Sequence, residues 1–195
     1  MKRKKPTTKD ELRPPFQNIG DEGWDIWLRE VLADYEEFEL PTPVTSGEIA
    51  KREAKLGVSL PNSVKLVLTT FGHLQLDDWW LCSLEEMVFL DEVETDFDLT
   101  PEQNSQLRKT LRIAETFVDP ELSDFYGVDC ETGKIYLHSY FLGVFTEVMP
   151  SFDNLFKMYI MYLSFGIYGG DSDDSISEKV DEIIKDELGW IKFEL

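Results

Sequence analysis

The sequence predicts an α+β protein in which a mostly antiparallel sheet packs against several helices. Three observations carry that expectation. Apolar residues before position 72 recur at steps of three and four. Residues 113–149 switch to short aromatic and β-branched runs broken by Gly turns, and helical spacing returns after Ser151.

Composition bounds the rest. The chain has 195 residues, 42% of them hydrophobic and 13% aromatic, enough apolar surface for one domain with extensions. Its 39 acidic and 19 basic residues give a net charge of −20. Such a field repels nucleic acid and anionic membranes, which are read by Lys and Arg, and it attracts a basic protein partner. Acidity of this size also serves solubility, and composition alone leaves both roles open. Only Cys82 and Cys130 are present and no apolar run follows the basic N-terminus, so a cytoplasmic location is expected.

Residues 1–20 hold a basic cluster with Pro6, Pro14 and Pro15, and they read as a flexible basic tail ahead of a single domain over 21–195. Trp24, Trp27, Leu28, Val31, Leu32 and Tyr35 then share one helical face. Pro41 and Pro43 break that pattern. Residues 45–72 form a helical hairpin: Ile49, Glu53 and Leu56 lie on one helix that Gly57 closes, and Val64, Val67, Leu68 and Phe71 lie on a second that Pro61 opens and Gly72 ends. A strand around 79–82 leads to a capping box at Ser83 and Glu86, and a second box at Thr100 and Gln103 opens another helix carrying Leu107 and Leu111. Between them, residues 91–98 are too charged for a core and read as an exposed loop. Strands follow at 113–118, 125–130, 135–140 and 144–149, the middle pair joined by a turn at 131–134. Ser151 caps a helix carrying Phe152, Leu155, Phe156 and Tyr159. After the acidic connector 169–175, Val180, Ile183, Ile184 and Leu188 outline a C-terminal helix over about 176–190.

One ordered set of these residues carries a resemblance. Ile49, Leu56, Gly57, Leu60, Pro61, Val67, Leu68 and Gly72, followed by Phe125, Asp129, Thr132, Gly133, Phe152 and Leu155, resemble the SUKH superfamily, the Smi/Knr group, over roughly residues 45–165. The resemblance implies helices packed on a mostly antiparallel sheet, no catalytic constellation, and no cofactor. Bacterial members are mostly immunity proteins that neutralise toxins, many of them nucleases; fungal members act in cell-wall synthesis and signalling. Phe71, where a polar residue often precedes the glycine, and the Trp79-Trp80 pair depart from the pattern.

Catalytic chemistry has few candidates. His73 and His138 are the only histidines and stand 65 positions apart, which supplies no local metal motif, and no phosphate-binding glycine loop or nucleophile elbow occurs. A binding protein, with neither metal nor cofactor, is the expected class. The candidate partner-binding residues are Asp77, Asp78, Trp79 and Trp80, together with the acidic loop Asp91, Glu92, Glu94, Asp96 and Asp98. Strand alternation turns one tryptophan outward as an anchor unless the fold covers both. The acidic loop complements a Lys/Arg-rich surface of the kind a nuclease uses to hold phosphates, or it is simply solvated.

Overall fold

Thr45 fixes where the helical hairpin begins. Its hydroxyl accepts from the Glu48 N–H at 3.2 Å while the Glu48 carboxylate accepts from the Thr45 N–H at 2.9 Å. Two of the free donors at the helix start are thereby satisfied, a contribution of about 1 kcal/mol. The computed structural model describes residues 9–33, 40–76, 79–93, 98–119, 122–169 and 174–191; expectations on residues 1–8 and 171–173 lie outside them.

Among the described residues the helices are α1 (Lys9–Leu12), α2 (Trp24–Ala33), α3 (Ser46–Leu56), α4 (Asn62–Phe71), α5 (Pro101–Leu107), α6 (Phe152–Gly169) and α7 (Asp174–Asp186). The strands are β1 (Gln75–Leu76), β2 (Trp79–Leu81), β3 (Thr110–Asp119), β4 (Leu122–Asp129), β5 (Ile135–Ser139) and β6 (Val144–Met149). They form one antiparallel sheet in chain order, so each strand pairs with its sequence neighbours. The α+β class and the antiparallel sheet therefore stand as expected, whereas Leu111, expected on the helix that Thr100 opens, lies in β3 opposite Val128 because that helix stops at Leu107. No described helix is long and apolar enough to cross a membrane.

One face of the sheet meets the helices. Trp79 is 1% exposed, stacked on Tyr159 of α6 at 4.7 Å between ring centroids and edge-on to Phe156 at 6.1 Å. Leu81, Ile113, Tyr126, Val128, Leu137 and Val148 extend this core, and Val64, Val67 and Leu68 of α4 join it. α2 brings in Trp24, whose ring stands 5.5 Å from that of Phe71. α7 closes the end of the core with Val180, Ile183 and Ile184.

Residues 9–20 correct the expectation of a mobile tail. Leu12, Phe16 and Ile19 are buried in the main core. Phe16 packs edge-on between Trp24 and Trp27, at 6.5 and 5.7 Å. The Ile19 N–H donates to Asp153 Oδ1 at 2.7 Å, and Arg13 Nε donates to Glu187 Oε2 at 2.8 Å. The physical reason is that three apolar side chains at steps of four and three still bury in the core, Phe16 against α2 and the helix of Leu12 against α7, although Pro14 and Pro15 prevent a continuing helix between them.

Two glycines stop the helices of the hairpin in different surroundings. Both have φ of 74°. A Cβ on Gly57 would meet nothing within 4 Å, whereas one on Gly72 would stand 2.3 Å from the Thr42 carbonyl oxygen. That approach is enforced because Leu68 O accepts from both Gly72 N and Val44 N, each at 2.9 Å. Gly72→Ala is therefore expected to cost about 2–4 kcal/mol and lower the melting temperature by about 5–10 °C, against about 1 kcal/mol for Gly57→Ala. Thermal denaturation of the two variants checks the order, and equal losses would refute the crowding at position 72.

Candidate partner-binding surface

The opposite face of the sheet is built from one cross-strand row. Trp80 pairs with Glu115, Glu115 with Phe125, Phe125 with His138, and His138 with Phe145. An aromatic row of this kind needs a cover, and the long β2–β3 crossover, residues 82–109, supplies part of it. Leu90 and Leu107 are buried with Phe145, and Val93, Leu99, Phe125 and Tyr136 pack against them. Gly127 of β4 makes room for this: a Cβ there would meet Leu90 Cδ1 at 2.8 Å and Thr110 Cγ2 at 2.4 Å.

Polar fasteners hold the same crossover. Ser83 and Glu86 exchange backbone-to-side-chain hydrogen bonds at 2.7 and 3.3 Å, and those bonds from Ser83 hold the Glu86 carboxyl below its ordinary range. The Arg112 N–H donates to Val88 O at 2.8 Å, and a 3₁₀ turn follows at Leu90–Glu92. Thr100 and Gln103 form the second capping box, and Gln103 Nε2 reaches Phe145 O at 3.0 Å. Gln106 Nε2 donates to Asp129 Oδ2 at 2.8 Å. Burial works to raise the Asp129 carboxyl, but this bond and those from the Thr132 and Glu131 N–H groups outweigh it and hold the carboxyl below its usual range.

What the crossover shows to solvent is acidic. Its described residues carry six carboxylates, Glu85, Glu86, Asp91, Glu92, Asp98 and Glu102, against two bases, Arg108 and Lys109. Asp91, Glu92, Asp98 and Glu102 are exposed or partly exposed around the 3₁₀ turn and the start of α5. Asp91 stands 4.0 Å from Arg108 across open solvent, a pairing that contributes little. Glu102 belongs with this group and escaped the sequence reading because it counted as a helix residue; its place in the first turn of α5 was the available signal.

The other expected anchors divide. Trp79 is core, a correction to its place among the surface residues, because strand parity points it at α6. Trp80 faces the other way and is half-buried. Asp77, Asp78, Glu94 and Asp96 lie outside the described residues. The histidines stay apart: His73 Nδ1 lies 3.2 Å from Cys82 O, so that nitrogen carries the proton, and His138 is fully buried among Phe125, Tyr140 and Phe145. Neither thiol is a reactive thiolate, since burial pushes Cys82 up to about 12 and Cys130 up to about 11. Among the described residues no group of three His, Cys, Asp or Glu side chains is placed to hold a metal.

The fold and this surface together define an α+β protein with a sheet covered by helices on one face and by an acidic crossover on the other. Compared with models of known protein families the chain matches none, and no curated protein matches it.

Burial lowers the His138 imidazole to about 4. The unfolded chain takes up a proton near pH 6.5, so this residue's contribution is complete above pH 6.5 and is lost as pH falls toward 4. Its loss is expected to reach on the order of 3 kcal/mol across that window. Imidazole proton shifts followed by NMR should place the His138 midpoint near 4; a midpoint at 6 or above would mean that the aromatic row admits water.

Proposed function

We propose that this chain is a non-enzymatic protein-binding module that captures a basic partner on its acidic crossover, acting in the cytosol as an immunity protein of the SUKH, Smi/Knr type against a cognate toxin domain. The observation that carries this reading is the fastening of Asp91, Glu92, Asp98 and Glu102 to the sheet by Leu90, Leu107 and the Gln103 and Gln106 hydrogen bonds. Carboxylates held in fixed positions lose less freedom on meeting Lys and Arg than carboxylates on a floppy loop. The net charge of −20 adds long-range attraction that speeds the encounter. A Lys/Arg-rich surface that holds phosphates, as on a nuclease, is the complement, and covering it blocks substrate. The SUKH reading of the fold is supported by the order of the α3–α4 hairpin, the antiparallel meander and α6. Two unbridged cysteines agree with a reducing compartment.

Co-expression with the C-terminal domain of the protein encoded immediately upstream tests the reading. A stable complex and restored growth are expected, with an association rate that falls at least tenfold between 50 and 500 mM NaCl. Combined Asp91→Lys, Glu92→Lys, Asp98→Lys and Glu102→Lys substitutions should slow association at least tenfold while leaving the melting temperature within about 3 °C. Absence of both complex and rescue would favour a regulatory interaction module without a toxin, like the fungal members.

A further inference from the structure

Lys51, Arg52 and Lys55 of α3 line one cleft of about 520 Å³, together with His73 and Ser83. Three cations on one wall are unusual in a chain where carboxylates outnumber bases by 39 to 19. Five other described bases pair with acids, Arg13 with Glu187, Lys65 with Glu53, Lys109 with Glu131, Arg112 with Glu115, and Lys134 with Glu147, whereas Arg29 and Lys157 donate to the backbone carbonyls of Thr70 and Gln17. Among the described residues, no carboxylate lies within ion-pair distance of Lys51, Arg52 or Lys55.

The local hydrogen bonding preserves this positive charge. Arg52 Nη2 donates to two backbone carbonyls, Glu85 O at 3.2 Å and Met87 O at 2.5 Å, and its buried Nε–H has no acceptor among the described residues. Carbonyl dipoles hold the guanidinium without neutralising it. Glu48, one of two carboxylates on the lining, accepts from the Thr45 N–H and hydroxyl at 2.9 and 2.7 Å, which holds it in place and keeps it charged. The lining therefore carries three cations against two carboxylates, Glu48 and Glu85, an excess of positive charge. Lys51 and Lys55 are exposed and one helical turn apart, so both ammonium groups can reach a single oxyanion. Val44 and Leu84 add an apolar part to the lining. Carboxylates farther than about 8 Å from the cleft are largely screened at physiological ionic strength.

We propose that this cleft binds a compact oxyanion, phosphate or carboxylate, borne on a small molecule whose apolar body rests on Val44 and Leu84. Lys51 and Lys55 supply the charge, Ser83 a hydroxyl donor, and Arg52 anchors the wall by tying α3 to residues 85–87. The site shares Ser83, Leu84 and Glu85 with the start of the crossover but uses none of Asp91, Glu92, Asp98 and Glu102, so it does not depend on how those carboxylates are used.

The test is titration of the full chain with phenyl phosphate and, separately, benzoate, followed by amide shifts of residues 51–55 and 83–85 at ionic strength matched with sodium chloride. Saturable shifts are expected with at least one probe, and the tighter one names the oxyanion. Lys51→Ala with Lys55→Ala should weaken binding at least tenfold, whereas Arg108→Ala with Lys109→Ala, on another exposed basic pair, should leave it unchanged. Shifts that do not saturate with either probe, that sodium chloride reproduces, or that persist in the Lys51/Lys55 variant overturn the proposal.

Discussion

Burial of both faces of one antiparallel sheet is the constraint on which the other features depend, and the two faces are covered by different means. On the first, β2, β3, β4 and β5 present Trp79, Ile113, Tyr126 and Leu137 to α6 and the helical hairpin. Large apolar side chains there remove surface from water at about 25 cal/mol per Å². On the second, the row from Trp80 to Phe145 includes Glu115 and His138, so its cover has to tolerate polar groups. The β2–β3 crossover does so by placing two leucines over the aromatics and sending its charges outward. An acidic segment is thus fixed in position as a by-product of covering a sheet.

Arg112 shows how closely the two tasks are joined. Its guanidinium pairs with Glu115 and stands 4.3 Å from the centre of the Phe125 ring, while its backbone N–H ties down Val88. One residue therefore links the charged and aromatic parts of the second face to the crossover above it. The same division recurs at α3, whose buried Ile49 serves the core while its Lys51 and Lys55 remain in solvent.

Local signals were the readable part of this fold. The Thr100 capping box, the Gly57 and Gly72 helix ends, and the strand at 144–149 appear where short-range chemistry places them, because each depends on residues a few positions apart. Residues 9–20 were misread since the six bases and three prolines of residues 1–20 outweigh three apolar side chains in any composition-based view, although burial of Leu12, Phe16 and Ile19 decides the outcome. The tryptophan pair was legible only up to parity: alternation separates Trp79 from Trp80, but which face holds α6 is a tertiary fact. The acidic loop was recognisable from charge alone. Its anchors were not, because Leu90 and Leu107 acquire meaning only when β6 brings Phe145 beneath them.

The outer edge of β6 is occupied at two places. Gln103 donates its side-chain amide to Phe145 O, and the Ile191 N–H takes Val148 O at 3.0 Å. At the other end of the sheet β1 is only two residues long. Among the described residues neither border therefore offers a foreign chain the long ladder of open backbone groups on which strands add to one another. Molecules of this protein are poor templates for stacking into fibres even at high concentration, and a partner has to recognise side chains instead of extending the sheet.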